Sequence, residues 1–464
     1  MKKYINWIII FCIISLLLFI ASEGLTDTLL WYDEAGQFWI AKGLYQYAAP
    51  YSTEGSLSEV LFYNQHYNKD PGGFGVLLHY WSYCLGNSSY ILRLLPFLFF
   101  IASMLLAQKI AKQYLKNLGL QLLVLFVLCY LYAGLSSELR AYSMELCGVV
   151  LSTYLWHRYN KTQKDTYLIL LCITLLCFCT SRYCFIIFAG VLTLRVLYNL
   201  VLAKQFTKCF FFGIPLLLMV LSIYFFQMRV QSAESGNLSY VPYLYSKPMQ
   251  LFRGQLSYAS IFGVFTFAYN YKKKKLSELN ILAFFNILIF VMLSYANIFP
   301  WDQQRTFSLF VICVLNDVIF ALSEFDKTMS RFLKTEYYTT MLIIIASVAL
   351  VIKNIGLRDS ENHKYYEEFS KIYNLDNGTI YVDLWMNPSI RYDFEYGTHK
   401  NYKDYPSRFS FGNEERHDQK IMEPGTVLLN HTNFDSNYYL MPYKKPKEQE
   451  FVLLEGYKYI YVRN

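Results

Sequence analysis

Long, unbroken runs of apolar residues are the feature of this sequence that most constrains its fold. Residues 6–21 and 279–298 are two of these runs. In neither do the apolar residues alternate with polar ones at the period of about 2 typical of a strand or about 3.6 typical of a soluble helix. A helix needs about 20 mostly apolar residues to cross the roughly 30 Å hydrocarbon core of a bilayer. Only 16% of the residues are charged, whereas about a quarter are charged in a soluble protein. The sequence therefore predicts an all-α, polytopic membrane bundle.

The apolar-length criterion predicts about eleven transmembrane helices. They cover residues 6–21, 90–109, 118–135, 142–156, 167–179, 183–202, 210–227, 256–271, 279–298, 307–322 and 338–352. We interpret 6–21 as an uncleaved first span, because only a poor small-x-small cleavage site, Ser22-Glu23-Gly24, follows it.

Alternate connections between these spans carry the basic residues, including the run Lys272–Lys275. Six such connections fall on one side of the membrane, as the positive-inside rule requires. The net charge of +8 is thereby explained by topology rather than by nucleic-acid binding. The pattern predicts a multi-pass plasma (inner) membrane protein with a cytoplasmic N-terminus and an extracytoplasmic C-terminal tail.

Outside the membrane in this topology lie the first outer loop, 23–89, a second stretch, 228–254, several short turns, and the tail from 357. The predicted domains are therefore a transmembrane domain, 1–356, and a small extracytoplasmic α/β domain, 357–464. In the tail, 361–374 is interpreted as a charged helix, 379–382 and 426–429 as strands, and 451–454 with 457–462 as a hairpin. In the first loop, 39–44 has the spacing of an interfacial helix, and most loop aromatics are interpreted as a headgroup belt.

Six different charged and aromatic motifs lie near the predicted outer ends of the spans. They are Asp33-Glu34, then His66-Tyr67-Asn68-Lys69-Asp70-Pro71-Gly72, Arg93-Leu94-Leu95-Pro96, Glu138-Leu139-Arg140-Ala141-Tyr142, Ser181-Arg182-Tyr183 and Gln304-Arg305-Thr306-Phe307. This order resembles that of the GT-C glycosyltransferases, in the branch that contains the protein O-mannosyltransferases and the bacterial aminoarabinose transferases of lipid A. Two positions depart from the family pattern. Asp70-Pro71-Gly72 stands in place of Pro-Pro-Leu, and Thr306 rather than Tyr follows Arg305.

The resemblance implies a GT-C-type fold and transfer of a sugar from a polyprenyl-phosphate donor to an acceptor hydroxyl on the outer face. Inverting transfer needs a base that takes the acceptor proton, and we assign Asp33 to it. Glu34 is the alternate base or a residue that orients the acceptor. A lipid phosphate leaves, so cations must stabilise its growing charge. The candidate donor-phosphate ligands are Lys69, Arg93, Arg140, Arg182 and Arg305, and the candidate acceptor or orienting residues are His66, Asp70, Glu138 and Tyr142.

Each motif also has a plainer interpretation. Asp33-Glu34 could be a solvated acidic pair, and an outer arginine could extend to the headgroups or pair with a neighbour such as Glu138. Four arginines at outer span ends run against the positive-inside bias. The plainer interpretation therefore does not explain all four of them.

No cofactor is expected, a divalent cation on Asp33 and Glu34 being the one exception considered. The expected partners are the donor, membrane lipids and a lipid, glycan or protein acceptor. Two alternatives stay open. A polysaccharide polymerase or ligase normally has its long outer loop late in the chain. A lipid-linked-glycan transporter would place ionisable residues at the bilayer midplane, where Asp317 is the clearest candidate.

Overall fold

The computed structural model describes residues 22, 25, 29–46, 48, 51–68, 70–234, 244–302, 305–329, 380–382, 387–397, 400, 409–411, 427–429, 451–453 and 460–463. The α-helices in this part of the chain are α1 (Tyr32–Ala41), α2 (Leu57–Tyr67), α3 (Gly73–Leu85), α4 (Ser89–Tyr114), α5 (Leu118–Tyr132), α6 (Tyr142–Thr162), α7 (Asp165–Phe178), α8 (Tyr183–Leu202), α9 (Phe206–Ile223), α10 (Arg229–Glu234), α11 (Gly254–Lys272), α12 (Glu278–Tyr295), α13 (Phe307–Met329) and α14 (Asn387–Glu395). Short 3₁₀ helices cover Ala133–Leu135 and Pro248–Phe252, and a π-helical turn covers Tyr224–Met228.

Six helical segments in the described part of the chain are long and apolar enough to cross a membrane. They are Ser89–Tyr114, Leu118–Leu135, Tyr183–Leu202, Phe206–Gln231, Glu278–Tyr295 and Phe307–Thr328. The protein is therefore a multi-pass membrane protein. The predicted spans 142–156, 167–179 and 256–271 are also helical, as α6, α7 and α11. The predicted spans 6–21 and 338–352 lie outside the described residues, so the count of eleven stays a prediction.

Side-chain caps begin two of these helices, and a residue in the left-handed conformation ends a third. The Asn117 side chain accepts the Gly119 backbone N–H at 2.8 Å before α5, and Ser277 accepts the Asn280 N–H at 3.2 Å before α12. Such caps satisfy backbone donors that the first helical turn leaves over. Gln163 ends α6 in the left-handed conformation, with φ 53°, a common way of stopping a helix. Among the described residues, the predicted basic connections at 109–116, 158–164, 204–208 and 272–275 each include a helix boundary.

A buried hydrogen-bond network joins α11, α12 and α13. Asn280 receives a bond from Asn270 at 3.1 Å and donates to Asn316 at 2.7 Å. Asn316 in turn donates to Thr266 at 2.9 Å and to Asp317 at 3.0 Å. Interhelical hydrogen bonds of this kind help to hold helices together in lipid, where the hydrophobic effect does not. Asp317, the clearest candidate for an ionisable residue at the bilayer midplane, therefore belongs to a packing network of three helices.

The described residues group into two compact units. The first contains Asn64–Phe74 and the described residues from Leu94 to Met329, and the second contains those of Leu25–Tyr63 and Gly75–Arg93 with the described tail. The predicted domain boundary at 356/357 lies outside the described residues and stays a prediction.

The second unit contains a five-stranded mixed sheet. Its strands are β1 (Ile380–Val382), β2 (Phe409–Phe411), β3 (Val427–Leu429), β4 (Phe451–Leu453) and β5 (Ile460–Arg463). Their spatial order is β2-β1-β3-β5-β4; β1 runs parallel to β2 and β3, and β5 runs antiparallel to β3 and β4. The predicted strands at 379–382 and 426–429 coincide with β1 and β3, and the predicted hairpin coincides with β4 and β5. The predicted helix 361–374 lies outside the described residues.

Helix α1 packs against α14 in the same unit. Trp39 is fully buried, its indole N–H donates to the Pro388 carbonyl at 2.9 Å, and the Arg391 guanidinium lies 3.7 Å from its ring centroid. Arg391 is itself held by Glu395, at 2.9 Å from Nε to Oε1. The interpretation of 39–44 as an interfacial helix is wrong, because α1 ends at Ala41 and residues 39–44 are buried inside the protein rather than exposed to lipid.

Candidate functional site

The acidic pair lies in the first turn of α1. Glu34 is 2% exposed, and its Oε2 accepts the backbone N–H of Trp31 at 3.3 Å. Acidic side chains are favoured in a first helical turn because they accept leftover N–H groups and complement the helix dipole. Asp33, one residue earlier, is half-buried. The two carboxylates therefore occupy different environments although they are adjacent in the chain.

Arg93 makes a two-pronged ion pair with Glu34 inside the second unit. Its Nε lies 3.2 Å from Oε1, and its Nη2 lies 2.6 Å from Oε2. Nη2 also donates to the Leu29 carbonyl at 3.1 Å, and Arg93 is only 7% exposed. A bidentate pair of this type is geometrically specific and neutralises both charges. Glu34 is thereby fixed in place, and its charge is already balanced by Arg93.

The first unit contains a second polar cluster, centred on Arg182, which precedes α8 in an extended conformation. The Arg182 Nε lies 3.7 Å from Asp70 Oδ1 and 3.4 Å from Glu145 Oε2. The guanidinium carbon lies 4.1 Å from the centroid of the Tyr142 ring. Burial by itself lowers the pKa of Arg182, but Asp70, Tyr142 and Glu145 outweigh it, and the pKa of Arg182 is raised. Arg182 therefore remains a cation, and we call these four residues the Arg182 cluster.

Arg140 approaches the same cluster. Its guanidinium carbon lies 5.9 Å from the centroid of Tyr142, the ring that Arg182 also contacts. Its backbone N–H donates to the Glu138 carbonyl at 2.6 Å in the turn before α6, and both side chains are half-buried. A positive group within about 6 Å of an aromatic ring centroid is attracted by the ring. Two of the predicted donor-phosphate ligands thus share one aromatic side chain.

Backbone contacts hold Asp70 beside Arg182. The Asp70 carbonyl accepts from Asn64 Nδ2 at 2.9 Å and from Gln231 Nε2 at 3.1 Å. Gly73, at the start of α3, donates its N–H to the Thr180 carbonyl at 2.9 Å. A Cβ atom on Gly73 would lie 2.8 Å from that carbonyl oxygen and 2.5 Å from Thr180 Cβ. Only glycine allows this approach at position 73. Gly72, in the segment that departs from Pro-Pro-Leu, has a φ of 96°, which itself favours glycine.

Substituting Gly73 by Ala should destabilise the protein and displace the Asp70 loop. Backbone atoms of Thr180 would have to move, and overpacking of this kind typically costs about 1–3 kcal/mol. Thermal unfolding of the purified protein in detergent measures the loss. Gly190→Ala in α8 is the matched control, because no atom lies within 4 Å of its added Cβ; it should be neutral or stabilise slightly. Equal stability of the two variants would contradict the close approach.

The remaining predicted site residues lie elsewhere. His66 is half-buried near the end of α2, with its ring 6.3 Å from the Tyr67 ring. Arg305 is half-buried before α13, and its backbone N–H donates to the Asp302 carbonyl at 3.1 Å. Lys69 lies outside the described residues. The structure therefore brings together Asp70, Arg140, Tyr142 and Arg182 in one unit, and Glu34 with Arg93 in the other.

Glu145 is the member of the Arg182 cluster that the sequence motifs missed. It is completely buried in the first turn of α6 and accepts hydrogen bonds from Ser308 Oγ and Cys184 Sγ. An ionisable residue inside an apolar segment is a functional candidate by default. Glu145 lies within the predicted span 142–156, and this was the available signal.

Neither a metal-binding group nor a comparison with known proteins assigns a function to these residues. In the part of the chain that the structure describes, no three His, Cys, Asp or Glu side chains form a group able to hold a metal ion. The expectation that the protein needs no metal or cofactor stays a prediction. No known family model matches the chain, and no curated protein matches it.

Proposed function

We propose that the protein is an inverting glycosyltransferase that moves a sugar from a polyprenyl-phosphate donor to an acceptor hydroxyl. The observation that carries the proposal is the approach of Arg140 and Arg182 to the Tyr142 ring, beside Asp70. Arginine suits a lipid phosphate because its planar fork pairs with two phosphate oxygens. Following the positive-inside pattern, we place this chemistry on the extracytoplasmic face.

Asp33 is the proposed general base. It removes the proton of the acceptor hydroxyl while that oxygen forms the new bond to the anomeric carbon of the sugar. The bond from this carbon to the phosphate oxygen breaks, and its electrons leave on the polyprenyl phosphate. Arg140 and Arg182, with Arg305 and Lys69 as further candidates, stabilise the charge on that phosphate.

Glu34 and Arg93 have a supporting role in this proposal. Because the two form a buried ion pair, Glu34 is suited to orienting its neighbour Asp33 and the acceptor rather than to accepting a proton. Arg93 remains a candidate phosphate ligand through its charge.

The test is incubation of the purified protein in lipid nanodiscs with a panel of polyprenyl-phosphate sugars. We expect release of free polyprenyl phosphate from at least one donor, because water can replace a missing acceptor slowly. Nucleotide sugars of the same panel are the control and should not be consumed. A folded protein that releases no carrier phosphate from any donor, with membrane extract present as the acceptor source, would overturn the proposal.

A further inference from the structure

We infer that Glu145 is a positioning residue that holds the Arg182 guanidinium in the orientation needed to pair with the phosphate of a polyprenyl-phosphate ligand. This inference rests on the proposed function, and it assigns a role to a residue outside every sequence motif that suggested that function.

Three helices fix the Glu145 carboxylate. Glu145 lies on α6, and its Oε1 accepts from Ser308 Oγ on α13 and from Cys184 Sγ on α8. Both donors are buried, and Glu145 itself is 0% exposed. A carboxylate held by two hydrogen bonds at the junction of three helices cannot follow a moving partner. It acts instead as a fixed reference to which Arg182 is held.

Two carboxylates approach the same edge of the Arg182 guanidinium. Glu145 Oε2 and Asp70 Oδ1 both approach Nε, at 3.4 and 3.7 Å. Tyr142, three residues before Glu145 on the same helix turn, contacts the guanidinium at 4.1 Å. Residues three apart on a helix are neighbours on its surface. The first turn of α6 therefore fixes the orientation of the Arg182 guanidinium, because Glu145 approaches its Nε edge and Tyr142 contacts its face. The terminal Nη atoms are the ones whose geometry matches phosphate oxygens.

Stability alone does not account for Glu145. A buried ion pair is often no more stabilising than apolar residues of the same volume, because removing two charges from water is costly. Glu145 would be an expensive way to fill space among three apolar helices. An orienting role explains why a charged residue, rather than a leucine, occupies this position.

A double-mutant cycle on ligand binding tests the inference. Affinity for a polyprenyl phosphate is measured in nanodiscs for the wild type, Glu145→Gln, Arg182→Gln and the double variant. Loss of one charge-assisted contact should weaken binding about tenfold. If Glu145 acts through Arg182, Glu145→Gln should weaken binding in the wild type and have no further effect when Arg182 is already Gln. Binding of the uncharged polyprenol should stay unchanged in Glu145→Gln, which a merely structural defect would not allow.

Two further variants keep the test decisive. If Glu145→Gln fails to fold, Ser308→Ala takes its place in the test. It removes one donor to Glu145 while leaving the charge of Glu145, so it should weaken phosphate binding by a smaller factor. Glu278→Gln is the matched control, because Glu278 pairs at 2.8 Å with Arg195 outside the cluster and should not affect binding.

The outcomes separate the inference from the proposed function. If Arg182→Gln leaves polyprenyl-phosphate affinity unchanged, the proposed phosphate site is wrong. If Arg182→Gln weakens binding but the Glu145→Gln effect is absent, or multiplies fully in the double variant, the positioning role of Glu145 is overturned while the phosphate site stands. Equal weakening for polyprenol and polyprenyl phosphate would likewise overturn the positioning role.

Discussion

Asp33→Asn should lower the transfer rate by about 10² to 10⁴ while leaving folding and donor affinity close to those of the wild type. The amide keeps the size and hydrogen-bonding reach of the carboxylate but cannot accept the acceptor proton, and loss of a general base typically costs this factor. Donor affinity should persist because the proposed phosphate ligands lie elsewhere in the sequence. Transfer rate and donor dissociation constant are measured on the same preparation.

The matched control for this substitution is Asp165→Asn, at the start of α7. Asp165 is exposed and pairs with Lys208 at 2.5 Å, and exposed ion pairs contribute little. Its variant should keep wild-type transfer. Near-normal turnover in Asp33→Asn together with an inactive Glu34→Gln would reverse our assignment within the acidic pair. If both Asp33→Asn and Glu34→Gln stayed active, the family resemblance of this loop would be misleading.

The membrane helices were predictable because lipid leaves the backbone few options. Without water, every N–H and C=O must be satisfied within the segment, so a long apolar run becomes a helix. The predicted span 183–202 coincides with α8, and 118–135 coincides with α5 and the 3₁₀ turn after it. Four of the five described strands of the tail were also predicted, because glycine or polar residues bound their short apolar runs, whereas β2 was not.

The site was predictable in its residue types and only partly in its contacts. The order of motifs selected Asp70, Arg140, Tyr142 and Arg182, and the structure brings these four together. Pairings between distant segments leave no local pattern. The approach of Gly73 to Thr180 and the ion pair between Glu34 and Arg93 depend on tertiary packing, so sequence motifs could not reveal them.

Arg93→Ala should destabilise the protein strongly, because it leaves the buried Glu34 carboxylate without its cation. Removing one partner of a buried ion pair typically costs about 3–5 kcal/mol, since an uncompensated charge remains. The Arg93–Glu34 contact is a buried ion pair of this kind, because it is bidentate and almost inaccessible to solvent. The midpoint of chemical denaturation in detergent measures the loss. The substitution should also weaken donor binding if Arg93 contributes to the phosphate site.

The double variant Arg93→Ala/Glu34→Gln separates these two effects. Neutralising Glu34 removes the unpaired charge, so a large part of the lost stability should return. Donor binding should not return, because no cation has been restored. Recovery of both quantities would mean that Arg93 serves only to hold Glu34, and Arg93 would then leave the set of phosphate ligands. Recovery of neither would show that the guanidinium stabilises the fold through contacts other than Glu34, such as the one with the Leu29 carbonyl.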